Sequence, residues 1–227
     1  MLNRRQFNAL LAGATGWVAL GPSGTVAAQR QSRGAVYASL DARLYRIRHD
    51  GNTLTREPRP LILPAQVQEA WLHPSGRYFY VASSDERTST SPVRHHYLNA
   101  FHVNSSGDLR PFGGAVQLAH RPIYITVDHR GEYLMSAYSG PSGISVHRLN
   151  TDGSIGDEIE QEATLNVGFY AHGVRVMPTN RAVLVITRGN EPVRGMRTED
   201  PGALYIFGFE NGQLINKQSV APNQGLA

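Results

Sequence analysis

The chain has 227 residues, with 22 Lys and Arg against 18 Asp and Glu, 23 glycines, 13 prolines and no cysteine. That composition is globular and turn-rich, which points to a β protein of one large or two small domains; without cysteine it has no disulfide framework, thiolate metal site or cysteine nucleophile. The cations are all arginine except Lys217 and are scattered along the chain, which argues against a nucleic-acid partner, since phosphate tracking needs clustered charge.

At the start, Asn3-Arg4-Arg5-Gln6-Phe7 forms a positive n-region, Phe7 to Leu20 an apolar stretch broken by Gly13, Thr15 and Gly16, and Val26-Ala27-Ala28 offers small residues for cleavage. Residues 1–28 therefore read as an export signal. The paired arginines before phenylalanine resemble the twin-arginine motif, which implies a periplasmic or secreted protein exported in folded form. An amphipathic N-terminal anchor or an uncleaved signal is the alternative. The apolar stretch is shorter than the ~20 residues of a spanning helix, so no stable membrane span is expected. Loss of Arg4 and Arg5 with the leader nearly balances the charge.

Beyond the leader a unit recurs. Polar turns at Asp50-Gly51-Asn52-Thr53-Leu54, Ser106-Gly107-Asp108-Leu109, Asp152-Gly153-Ser154-Ile155 and Asn211-Gly212-Gln213-Leu214 each follow an alternating segment: Leu44 to Ile47, Ala100 to Val103, Ile144 to Leu149 and Leu204 to Phe207. These read as hairpins in which glycine takes the positive φ of a tight turn. Between them lies a second landmark of strand, four-residue turn and strand. It appears at His73-Pro74-Ser75-Gly76 with Arg77 to Ala82, at Asp128-His129-Arg130-Gly131 with Glu132 to Ala137, and at Met177-Pro178-Thr179-Asn180 with Arg181 to Val185. The unit is about 50 residues long, and the apolar period is two, not 3.6. Four short strands per unit make the meander of a β-propeller blade. The spacing predicts an all-β propeller with four-stranded antiparallel blades at about 34–65, 66–119, 120–168 and 169–227, within one domain over 29–227.

Three segments carry a family resemblance. Arg121-Pro122-Ile123-Tyr124-Ile125-Thr126-Val127-Asp128 and Ala137-Tyr138-Ser139-Gly140-Pro141-Ser142-Gly143 are similar to a Pro-x-x-x-x-Val-Asp segment and an Ala-Asn-Tyr-Gly-Gly-Gly loop, here without the Asn. Tyr170-Ala171-His172-Gly173-Val174-Arg175-Val176 is similar to a Pro-His-Ser strand. Thr187-Arg188-Gly189-Asn190-Glu191 stands where an Asp-Leu-Gly-x-Asp loop is common, with arginine in place of the first acid. Together they resemble the seven-bladed propeller lactonases, which include the 6-phosphogluconolactonase type and the carboxymuconate lactonizing enzymes. The resemblance covers the mature chain but only four of seven blades. It implies that a Gly-Pro-Arg-His motif and three more blades would follow Ala221-Pro222-Asn223-Gln224-Gly225-Leu226-Ala227. An arc of four blades would leave open blade edges capable of self-association.

Lactone hydrolysis needs a base to activate water and a cation or donor set for the oxyanion. Histidine and arginine suit those tasks. By family position, His172 at the start of the innermost strand of the fourth blade is the candidate base, and Arg188 is the second catalytic candidate. A structural histidine at a blade junction is the alternative for His172. Arg121, Tyr138, Arg175, Asn190 and Glu191 are candidates for binding substrate, with Glu191 a second candidate base. Three residues apart, His172 and Arg175 would point to opposite faces of a regular strand and could share the channel only if a bulge intervenes.

His95, His96 and His102 raise a metal site. Adjacent strand histidines diverge and no carboxylate spacing supports them, so they read as a surface loop. His73 and His129 are turn residues without a catalytic role. There is no Gly-x-Ser-x-Gly elbow, P-loop or dinucleotide fingerprint. No metal or cofactor is expected. The resemblance implies a lactonase acting on a small lactone or sugar acid. A muconate-type cycloisomerase and a noncatalytic binding propeller are the alternatives.

Overall fold

The structure, a computed structural model, describes residues 9–10, 35–49, 52–86, 93–192 and 198–222. The rest of the segment read as an export signal, with Arg4-Arg5 and Val26-Ala27-Ala28, lies outside the described residues, as do Asp50-Gly51 and the last five residues.

The described residues form four antiparallel sheets and no helix. In the first, β1 (Ala9–Leu10), β2 (Val36–Leu40), β3 (Arg43–His49) and β4 (Leu54–Arg56) follow one another, and β5 (Leu61–Ile62) also pairs with β3. The second is β6 (Gln66–Leu72), β7 (Tyr78–Ser84), β8 (His96–Val103) and β9 (Leu109–Gln117). The third is β10 (Pro122–Val127), β11 (Tyr133–Ser139), β12 (Ser142–Leu149) and β13 (Ile155–Glu158). The fourth is β14 (Ala171–Val176), β15 (Ala182–Thr187), β16 (Leu204–Glu210) and β17 (Gln213–Val220). Each of the last three is a meander in chain order. Their first strands lie side by side, β10 between β6 and β14. This is the arrangement of propeller blades around an axis, with β6, β10 and β14 innermost.

The core is divided by blade. Phe79, Val81 and Phe101 pack toward Tyr37 and Leu44 of the first sheet. Tyr80, Ala82 and Leu98 meet Ile125, Leu134 and Tyr138 of the third. Met135, Ala137 and Val146 meet Val174, Val183, Val185 and Phe207 of the fourth. The middle strands alternate between two cores, not between core and solvent, so β7 is buried at every position. In β15 Val183, Val185 and Thr187 are buried, but Ile186 is 58% exposed and Ile215 of the same sheet 47%. There one face alone is covered.

Repeated polar ties lock the blades. His73 accepts from the Ser75 N–H on Nδ1 and donates from Nε2 to the Gly131 carbonyl at 3.1 Å. One blade along, His129 Nε2 donates to the Val176 carbonyl at 3.1 Å. The two turn histidines are thus inter-blade fasteners. Asp128 is fully buried and accepts from the N–H groups of Glu132 and Tyr133 at 2.6 and 2.8 Å and from Asn180 Nδ2 at 2.7 Å. The hairpin glycines face the preceding blade. Gly153 has φ +83°, and a Cβ there would lie 2.5 Å from the Tyr78 ring.

Candidate functional site

All three innermost strands break register at the same place: between Val67 and Glu69, Pro122 and Tyr124, and Ala171 and Gly173. The extra residues are Gln68, Ile123 and His172. A bulge re-aims the side chains after it, and His172 and Arg175 are both exposed on β14. The His172 side chain forms no hydrogen bond to other described residues. Two residues before it, Tyr170 holds Arg188: the guanidinium lies 4.9 Å from the Tyr170 ring centroid, and the Arg188 backbone N–H donates to the Tyr170 carbonyl at 3.0 Å. Arg121 donates from Nε and a terminal nitrogen to Gln68 Oε1 at 2.9 and 2.7 Å, which ties the start of β10 to the bulge of β6.

Further along the strands, side chains from three blades converge. The Arg175 guanidinium lies 4.1 Å from the Trp71 ring centroid and 5.4 Å from that of Tyr124, whose rings are 6.4 Å apart. A cation over two aromatic faces is held without being neutralised. Glu69 faces the same group. Burial raises its affinity for a proton, and the Ala70 N–H and the Arg175 charge oppose that. Burial likewise raises the Tyr124 phenol. Arg175 stays exposed, so the innermost strands present a supported cation roughly 10 Å of strand away from His172, at ~3.3 Å per residue.

The other sequence candidates are placed differently. Tyr138 is buried between the second and third blades, its hydroxyl bonded to Ser145 Oγ, and burial pushes its pKa up to about 12. It is a core residue there, not an exposed loop group. Asn190 uses its amide on the Thr198 carbonyl at 2.8 Å and its backbone on Asp200, so it braces its own loop. Glu191 is exposed on that loop. His95 pairs through Nδ1 with Asp85 at 2.9 Å, while His102 stacks on Phe112 at 4.0 Å. His96 is not in a surface loop: it begins β8, is buried, and bonds through Nδ1 to Ser84 Oγ at 2.9 Å. Among the described residues no group of three or more His, Cys, Asp or Glu could hold a metal ion.

Glu69, Trp71, Tyr124 and Gln68 were not among the sequence candidates. Aligning the repeats on their turns would have flagged Trp71, which occupies the same strand position as Arg175. Nothing in the sequence signalled that the two side chains meet.

Residues 37–210 match the family described as lactonase, 7-bladed beta-propeller. A 6-phosphogluconolactonase of Pectobacterium carotovorum is 27% identical over 121 residues, which is 53% of this chain and 32% of that protein. The chain thus spans about a third of the curated relative it matches. Among solved structures, the periplasmic gluconolactonase of Pseudomonas aeruginosa superposes with a TM-score of 0.53 at 18% identity, over 87% of this chain and 67% of the other. Hydrazine synthase of Kuenenia stuttgartiensis reaches 0.57 at 10% identity, over 82% and 46%. Two such different names at similar scores mean that these likenesses speak for the fold alone.

Proposed function

The chain belongs to the seven-bladed β-propeller lactonase family, and from that membership we propose that it opens the ring of a sugar-acid lactone by hydrolysis. The observation that carries the reading is the bulge on β14, which leaves His172 exposed two residues after Tyr170, the ring that holds Arg188, with Arg175 further along the same strand. A neutral imidazole takes a proton from water as the water oxygen bonds to the lactone carbonyl carbon. Arg188 stabilises the oxyanion, and the imidazolium returns the proton to the ring oxygen as the carbon–oxygen bond breaks. Arg175, seated on Trp71 and Tyr124, receives the acid group of substrate or product. Arg121 and Glu191 belong to the same proposal as substrate-binding groups by family position.

The leader places the reaction outside the cytoplasm, in the periplasm or beyond, where an unphosphorylated lactone is the better fit to supply. No helix among the described residues is long and apolar enough to cross a membrane. Self-association through the exposed face that carries Ile186 and Ile215 belongs to the same proposal. The test is proton release in a pH-stat with glucono-δ-lactone, its 6-phospho ester and a muconolactone. Turnover of a sugar lactone supports the reading. A folded chain that opens none of the three overturns it.

A further inference from the structure

Ala171, the residue before His172, is gripped on both of its backbone groups by the neighbouring blade. Its N–H donates to Ser142 Oγ at 2.9 Å, and its carbonyl accepts from Ser139 Oγ at 3.0 Å. The two serines flank the Gly140-Pro141 turn between β11 and β12. Ala171 is fully buried, so neither backbone group has water as a substitute partner. On its other side Tyr170 adopts a left-handed φ of +56°, with its carbonyl taking the Arg188 N–H at 3.0 Å. The peptide entering the bulge is therefore fixed from two blades while the His172 imidazole is left exposed.

The corresponding residues of the other blades lack this device. Val67 gives its N–H to the Asp41 carbonyl at 2.9 Å, and Pro122 has no N–H to give. Among the described residues, only the bulge that carries histidine has the residue before it held by two side chains.

We infer that Ser139 and Ser142 are positioning residues that fix where His172 presents its imidazole; this rests on the lactonase reading above. The hydroxyls act in opposite senses, Ser142 accepting and Ser139 donating, so alanine at either leaves one buried backbone group unpaired and frees the strand to shift. A displacement of about 1 Å in a proton-transfer group lowers turnover by as much as ~100-fold.

The experiment is a double-mutant cycle on lactone turnover, with Ser142→Ala and His172→Gln alone and together. Ser142→Ala is expected to lower kcat at least about 10-fold with KM nearly unchanged, Ser142→Thr to restore most of it, and Ser142→Ala to cost nothing further once His172 is gone. An equal loss in both backgrounds, or a change confined to KM, overturns the inference and leaves the lactonase reading standing. A wild-type chain that opens no lactone overturns both. If Ser142→Ala does not fold, Ser139→Ala carries the same cycle through the other hydrogen bond.

Discussion

The Tyr80 hydroxyl donates a 2.8 Å hydrogen bond to the carbonyl of Gly153, 73 residues away in the hairpin of the next blade. The same turn lies under the Tyr78 ring, which comes from the same strand. Gly153→Ala would put a Cβ into that ring at a φ that L residues avoid, and it should destabilise the chain by about 2 kcal/mol or more. Tyr80→Phe loses one hydrogen bond, and should lower stability by about 1 kcal/mol. Urea midpoints of the two variants test this order, with m-values unchanged.

Asp128 ties its own turn to the next blade through Asn180. Asp128→Ala strands several buried N–H donors at once and should cost about 3 kcal/mol or more. Asn180→Ala should be milder on its own and smaller again in the Asp128→Ala background, where the cost left is that of the His129 N–H bond to Asn180 Oδ1 and of alanine at a φ of +57°. Equilibrium unfolding of the two single variants and the double measures that coupling.

His147 is 2% exposed, and its Nδ1 has no hydrogen-bond partner among the described residues. Burial lowers its proton affinity, as it does for His96. With the folded value below the unfolded one of about 6.5, the unfolded chain binds the proton first. Stability is therefore full above about pH 6.5 and falls as pH drops toward the folded value. Unfolding followed from pH 7.5 to 5 should show that loss, and His147→Gln should flatten it.

The propeller was legible because its signals are local. Hairpin glycines and proline turns recur every ~50 residues, and positive φ at Gly107, Gly153 and Gly212 is demanded by the turn itself. The site was legible only in part. His172 and Arg188 stand in recognisable segments, but the bulge that lets His172 and Arg175 coexist is a register effect between strands. The meeting of Trp71, Tyr124 and Arg175 depends on how three blades are arranged. Tyr138 was misplaced because a middle strand serves two cores, so its loop-side position does not imply exposure.

Arg175 should recognise the acid group through its charge and not merely its bulk. Arg175→Met should raise KM about 10-fold or more for an acidic lactone, the equivalent of ~1.4 kcal/mol, with a smaller effect on kcat. Trp71 carries the guanidinium, so gluconate should shift its fluorescence in the wild type and not in the variant. Steady-state kinetics and a fluorescence titration check both.

The most direct measurement is glucono-δ-lactone opening at pH 7 by the wild type and by His172→Gln, followed by proton release above the spontaneous rate. Measurable turnover by the wild type is expected, with a fall of at least ~100-fold in kcat for the variant, the usual worth of a general base, and circular dichroism unchanged. Equal rates for the two proteins, or a folded wild type with no rate above background, would contradict it.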